Sequence, residues 1–392
     1  SFTLDQALEL AGAVSPSLEA ASADVRAAEA SRRVAGLRPN PSVSVEAENV
    51  AGSGPYRGID SVEATTSLTL PIELGGKRSA RIAVANARTD RAAIQAAIAQ
   101  ADLRLSVVRA YAEAAAAERR LVTARDQVRI ATEALRAAQV RVQAGRASPI
   151  EVQRADVARV NAETALAREE RGVEVARYSL SRIVGQPITG PLDAGWFGQV
   201  PAGYGPLRPI ESAGTLALAA ADADLAIADA GVRLARSQRV PDLTVGAGAR
   251  RFEQTNDTAA IFSLSIPIPL FNNGRAALSQ ASAERQRAEA QRRVTVLDVD
   301  QAIARVQADA ANAAANAATA SGPALAAAEE AARIARIGYR EGKFGQLDLL
   351  DAERTLAQTR AAAVDALLSY HIAQAQLERL TARAPVTQGE RP

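Results

Sequence analysis

The chain has no cysteine and no methionine, one tryptophan, one histidine, almost no lysine and only 3% aromatic residues in 392 positions. Without cysteine these residues form no disulfides and offer no thiolate for catalysis, and no lipid-bearing cysteine is expected at the start of the mature chain. His371 is the only imidazole and has no cysteine, methionine or second histidine to join it. It therefore reads as a packed helix residue, and no metal centre is expected. No run of about 18 apolar residues occurs, so no transmembrane helix is expected, and any membrane crossing must be made by β-structure. A Ser/His/Asp set, a phosphate loop and a paired catalytic motif are all missing, and neither enzyme activity nor a cofactor is expected. The scarcity of aromatics argues against a thick globular core. An opening at Ser1-Phe2-Thr3-Leu4 without methionine fits a product whose signal peptide has been removed.

What is present is alanine, arginine and length. Hydrophobic residues make up 48% of the chain and charged residues 23%, with a net charge of +2 and a pI near 9.1. Acidic residues are interleaved with arginine throughout, which leaves no basic stripe for nucleic acid. Ala/Leu/Val stripes with Arg, Glu and Gln between them predict closely packed long helices.

The chain is also duplicated. Ser67-Leu68-Thr69-Leu70-Pro71-Ile72-Glu73-Leu74-Gly75-Gly76-Lys77-Arg78 returns as Ser263-Leu264-Ser265-Ile266-Pro267-Ile268-Pro269-Leu270-Phe271-Asn272-Asn273-Gly274-Arg275. Gly145 and Gly342 lie 197 positions apart, as do Ala155 and Ala352. A first repeat is expected over 1–185 and a second over 211–383. A Gly/Pro-rich connector at 186–210, packed by Trp196 and Phe197, joins them, and a tail follows at 384–392.

In the first repeat, two helices over 4–36 are split at Ser15-Pro16, with Ser15 as N-cap and Pro16 in the first helical position. The period then becomes two: Val43, Val45 and Ala47 face one way, and Ser44, Glu46 and Glu48 the other. Strands with one apolar and one polar face are expected over 42–50, 61–72, 242–251 and 259–268. After Gly76 no breaker occurs for roughly 70 residues, enough for a helix of about 100 Å. Gly145 turns the chain, and Ser148, Pro149 and Glu151 carry the pattern of a capping box for the returning helix. The second repeat follows the same plan, with an unbroken helix expected from Gly274 to Gly342.

These elements define a fold that is mainly α with a small β part: internally duplicated long-helix hairpins plus four membrane strands per chain. Four strands cannot close a membrane barrel, since the smallest have about eight. Sharing among three chains removes the open edges and gives a trimeric barrel of twelve strands, continued by an α-helical barrel with a polar lumen.

The order of elements, the duplication, the Leu-Pro-Ile-Glu-Leu-Gly-Gly-Lys-Arg junction and the segment from Gly338 to Ala352 resemble the TolC-type outer-membrane efflux channel family over nearly the whole chain. The Glu-Leu-Gly-Gly-Lys-Arg form of the junction is similar to the CzcC-like heavy-metal subgroup, which serves resistance-nodulation-division pumps. The resemblance implies a homotrimer in the outer membrane of a Gram-negative bacterium, with a large periplasmic part, that meets a periplasmic adaptor protein and an inner-membrane pump. It implies a passive exit duct for metal cations, gated at its periplasmic end. A same-fold duct for drugs or secreted protein, and a soluble periplasmic coiled-coil scaffold or adaptor, remain as alternatives.

By the same resemblance, Tyr339, Asp348 and Asp351 match positions that close the periplasmic entrance, with Glu151 at the equivalent place in the first repeat. The alternative for the aspartates is that they favour a helix N-terminus and pair with neighbouring arginines. The family's basic partner near this point is not matched: Phe344 stands there, with Arg340 and Lys343 nearby. Gly145 with Arg146, and Gly342 with Lys343, mark the hairpin tips that would dock the adaptor. Glu46, Glu48, Glu63 and Arg250 are candidates for the barrel lumen.

Overall fold

A computed structural model of the chain describes residues 1–200 and 210–385. Among them the order is α1 (Leu4–Val14), α2 (Pro16–Ala35), β1 (Ser42–Glu48), β2 (Glu63–Ile72), α3 (Lys77–Gln143), α4 (Pro149–Val184) and the short α5 (Ala194–Gly198). Then come α6 (Leu216–Ser237), β3 (Leu243–Phe252), β4 (Asp257–Ser265), α7 (Arg275–Thr319), α8 (Leu325–Arg340) and α9 (Gln346–Thr381). The connector and the tail expected from sequence fall partly outside the described residues, at 201–209 and 386–392. Two compact units are present, and they cut across the repeats: each takes segments from both halves of the duplication.

One unit holds the sheet, with α2, α6 and the adjoining ends of α3 and α7. The four strands form one antiparallel sheet in the order β1-β2-β3-β4. Ser42, Thr69, Gly246 and Ser263 lie in one row across it, and Val43, Leu68, Ala247 and Phe262 in the next. Because side chains alternate across a strand, the first row belongs to a polar face and the second to an apolar one. The strand ends differ from expectation for local reasons. β1 stops at Glu48 because Asn49 takes a positive φ of 60°. β4 stops at Ser265, so Ile266 and Ile268 leave the ladder; Pro267 and Pro269 have no N–H to donate to it.

The helices of this unit keep the order of the strands. Arg78 and Arg81 of α3 donate to the carbonyls of Gly36, Ala35 and Leu37 at the end of α2. Arg91 of α3 pairs with Asp224 of α6 at 2.9 Å, and Arg285 and Arg292 of α7 pair with Asp229 and Asp222 of α6. The sequence is thus α2-α3-α6-α7, with α2 and α7 on the flanks as β1 and β4 are in the sheet.

The other unit holds α1, α4, α5, α8, α9 and the remaining parts of α3 and α7. Its core centres on Tyr111, Leu180, Val184 and Phe197. The Tyr111 hydroxyl donates to the Phe2 carbonyl at 2.7 Å and accepts from the Asp193 N–H at 3.0 Å, tying the chain start to the connector. Trp196 stacks on His371 with ring centroids 4.0 Å apart, and His371 Nε2 lies 2.9 Å from the Phe197 carbonyl. Much of the sparse aromatic content is therefore gathered at one place, where α5 meets α9.

The helix expected to run unbroken from Gly274 to Gly342 is interrupted. Residues Ala320–Ala324 form a π-turn in which Gly322 has φ −104° and ψ −106°, and Pro323 lies inside it. A proline removes one ladder hydrogen bond and crowds the preceding turn, which is sufficient cause for a break between α7 and α8. Its counterpart α3 contains no such residue and continues for 67 residues.

Candidate functional site

The two hairpin tips have the same backbone solution. In the first, the N–H of Gly145 bonds to the Val142 carbonyl at 3.0 Å and that of Arg146 to the Arg141 carbonyl at 2.9 Å. In the second, Gly342 bonds to Tyr339 at 3.1 Å and Lys343 to Gly338 at 2.8 Å. Both are Schellman closures whose C′ residue needs positive φ, found at 67° for Gly145 and 72° for Gly342. Arg146 and Lys343 follow directly and are exposed.

The expected capping box at Ser148 does not form. The Ser148 side chain makes no cap bond, and Glu151 reaches it only through a backbone N–H to carbonyl contact of 2.9 Å. The Glu151 side chain turns inward instead, leaving Oε2 buried without a hydrogen-bond partner. Half of such a box occurs in the second repeat, where the Asp348 carboxylate accepts the Gly345 N–H at 2.9 Å at the start of α9. Asp348 and Asp351 are exposed, and neither forms an ion pair with arginine among the described residues.

Tyr339 is 4% exposed and packs with Ala335 and Leu349. Arg141 lies across its ring, with the guanidinium carbon 4.7 Å from the ring centroid and Nη1 donating to the Tyr339 carbonyl at 3.4 Å. Gln346 Nε2 donates to the Glu151 carbonyl at 2.7 Å, joining the start of α9 to α4. Four helices thus bring Arg141, Glu151, Tyr339 and Gln346 together. Arg141 Nε, Glu151 Oε2, Tyr339 Oη and Gln346 Oε1 are all buried there without a partner. Burial pushes the Tyr339 hydroxyl above its ordinary pKa; the Arg141 charge opposes that rise and the Glu151 charge adds to it. Unsatisfied buried polar atoms cost about 1–3 kcal/mol each, so this joint is a poorly stabilised part of the hairpin pair.

Arg141 and Gln346 were not singled out by sequence. The signal was available: set against each other at the 197-residue offset, Arg141 faces Gly338 and Gln346 faces Pro149, so each polar residue exists in one copy only. Gly338 is needed where it stands, because a Cβ there would overlap the Phe344 ring. Phe344 therefore serves packing, and Arg141 is the cation beside Tyr339.

On the polar face of the sheet, three of the four lumen candidates meet. Arg250 pairs with Glu63 at 2.9 Å and Glu48 at 3.1 Å, and donates to Thr65 Oγ1 at 2.9 Å. Glu46 shares a row with Thr65 and Arg250 but forms no ion pair among the described residues. Serine hydroxyls continue this face, Ser44 and Ser67 lying 2.8 Å apart. The opposite face carries Val43, Val45, Phe262 and Leu264, all exposed. Within one chain, then, a strip of apolar side chains and a strip of charged and hydroxyl groups occupy opposite sides of a single sheet with two free edges.

The family model described as "Outer membrane efflux protein" matches residues 7–186 and 212–383, one segment for each repeat. The chain belongs to the outer membrane efflux protein family. It is 30% identical over 389 residues to the cobalt-zinc-cadmium resistance protein CzcC of Cupriavidus metallidurans, covering 97% of this chain and 90% of that one. It is 33% identical over 307 residues to the nickel and cobalt resistance protein CnrC of the same organism, covering 78% and 71%. In fold it matches the outer membrane protein VceC of Vibrio cholerae, with a TM-score of 0.77 at 22% identity over 97% of this chain and 96% of that one. The mainly helical architecture with a small antiparallel sheet is thus the fold of outer-membrane channels. No helix among the described residues is long and apolar enough to cross a membrane, and no group of three or more His, Asp or Glu side chains there could hold a metal ion.

Proposed function

We propose that this protein is the outer-membrane exit duct of a tripartite resistance-nodulation-division system that exports heavy-metal cations. The observation that carries the duct is the two-faced, four-stranded sheet with free edges at β1 and β4. Three copies placed edge to edge close twelve strands, turn the Val43/Phe262 face to lipid and the Arg250/Glu63 face to water, and leave no unpaired ladder. The cation cargo is supported by the likeness to proteins named for cobalt, zinc, cadmium and nickel resistance. Export needs no chemistry from the duct: pump and adaptor supply energy and engagement, and the trimer supplies a sealed path. Asp348 and Asp351, repeated around a three-fold axis, form a ring of negative charge that draws cations to the periplasmic entrance. The exposed tips at Gly145-Arg146 and Gly342-Lys343 are the adaptor contacts.

Deleting the gene and restoring it on a plasmid tests the cargo. Loss of cobalt, zinc or cadmium tolerance with unchanged drug tolerance is expected, and an unchanged metal tolerance overturns metal export. Purified protein in a planar bilayer tests the duct: a trimeric mass with conductance is expected, and a monomer without conductance overturns it.

A further inference from the structure

The duplicated strand-to-helix junction is chemically different in its two copies. In the first copy it is held within the chain. Lys77 Nζ lies 2.6 Å from Asp242 Oδ1, the Leu74 N–H donates to the same carboxylate oxygen at 3.1 Å, and Arg81 forks onto Glu73. The Asp242 bonds join the β2–α3 junction to the start of β3, and Arg81 also donates to the Ala35 and Leu37 carbonyls at the end of α2. In the second copy the corresponding stretch is Ile266-Pro267-Ile268-Pro269-Leu270-Phe271, with no charged residue until Arg275. Leu270 is 76% exposed and Phe271 fully so. No described residue covers them.

A second exposed apolar pair lies on the opposite flank of the same unit. Val34 is 66% and Leu37 64% exposed, at the end of α2 just before β1. The two patches lie at one end of the sheet, since Ser42 and Ser263 belong to the same row. They also lie on its two free margins: Ile266–Phe271 follows β4 and leads into α7, while Val34 and Leu37 precede β1. Any edge-to-edge closure that pairs β4 of one copy antiparallel with β1 of the next brings the end of β4 beside the start of β1, and the start of α7 beside the end of α2.

We infer that the hook Ile266–Phe271 is the seam between protomers, with Leu270 and Phe271 of one copy packing on Val34 and Leu37 of the next. This rests on the closed-trimer reading above and deepens it by naming which junction is self-contained and which is completed by a neighbour. The junction held by ion pairs folds with its own chain, and the apolar one is satisfied only on assembly.

The absence of native cysteine makes the test clean. A Val34→Cys/Leu270→Cys chain, reconstituted in its membrane and treated with a short bismaleimide, should run as covalent dimer and trimer on denaturing gels, while each single-cysteine chain stays a monomer. Phe271→Ser should lose the detergent-resistant trimer at temperatures the unaltered chain survives, with its helical circular dichroism unchanged. Light scattering on every variant separates the two readings. A conducting trimer that gives no cross-link overturns the seam and leaves the duct standing; in that case strong quenching of Phe271→Trp by brominated lipid would identify lipid as the cover. A chain that remains monomeric in detergent and does not conduct overturns both.

Discussion

Arg141 and Tyr339, 198 residues apart in the chain, lie face to face, with the guanidinium carbon 4.7 Å from the ring centroid. The pair ties the end of α3 to the end of α8, one member from each hairpin. A partly desolvated cation–π contact is worth about 0.5–2 kcal/mol. Arg141→Ala should therefore raise amide hydrogen exchange at the 338–346 tip about tenfold, which is about 1.4 kcal/mol. Tyr339→Phe should leave exchange nearly unchanged, because the ring remains and a buried hydroxyl without a partner is lost. Equal effects of the two would assign the contact to the hydroxyl instead.

Asp242 has two partners, and Lys77 is one of them. Lys77→Ala leaves the carboxylate with the Leu74 N–H and should lower thermal stability modestly, by about 1 kcal/mol. Asp242→Ala strands both the Leu74 N–H and a lysine whose side chain is only 12% exposed. Its cost should be larger, about 2–3 kcal/mol, with the double variant close to Asp242→Ala alone. Calorimetric melting of the three variants checks the order. Beside them, the Arg81 hydrogen bond holds the Glu73 carboxyl below its ordinary pKa of 4.5. The stability from that pair is present above the unfolded pKa and should be lost as pH falls through the folded one.

Arg250 offsets two of the three glutamates on the polar sheet face. Arg250→Ala leaves Glu46, Glu48 and Glu63 uncompensated and should shift the channel toward cation selectivity. The reversal potential under a potassium chloride gradient reads this directly. An unmoved potential would place these groups away from the conducting path.

Burial lowers the pKa of His371 below 6.5, against an opposing hydrogen bond to the Phe197 carbonyl. Between the folded and unfolded values the unfolded chain binds the proton more readily. Stability from this site is therefore full above about pH 6.5 and should fall as pH drops toward the folded pKa, by up to about 1.4 kcal/mol per unit. Denaturant titrations from pH 7.5 to 5 should show that slope, and His371→Gln, which keeps an N–H donor for Phe197, should flatten it.

Much of this fold was legible because local chemistry announces it. The alternation from Val43 to Ala47, the prolines that end the strands and the glycines at 145 and 342 each act on their own few residues. The same local rules misled where a pattern was present without its bond: Ser148 and Glu151 match a capping box, yet the glutamate turns inward to Tyr339 and Gln346. Ser321-Gly322-Pro323 is a readable breaker inside the second long helical stretch, where the corresponding part of α3 is continuous. The lack of a counterpart in the other repeat marks Arg141 and Gln346, but their partners Tyr339 and Glu151 were not legible, since each contact joins residues nearly 200 positions apart. The junction motif that resembled the metal subgroup turned out to be spent on ion pairs within the chain, so Glu73, Lys77 and Arg81 say more about how the sheet is anchored than about cargo.

The break at Gly322–Pro323 makes the two halves of the duplication mechanically unequal. The unbroken α3 resists bending along its whole length, whereas α7 and α8 concentrate their compliance at one turn where a ladder hydrogen bond is missing. A sideways load on the first tip is therefore carried as distributed strain. The same load on the second tip, at Gly342, is taken up as rotation about a single point, leaving the helix beyond it undeformed. Two copies of one ancestral hairpin have become a beam and a jointed arm.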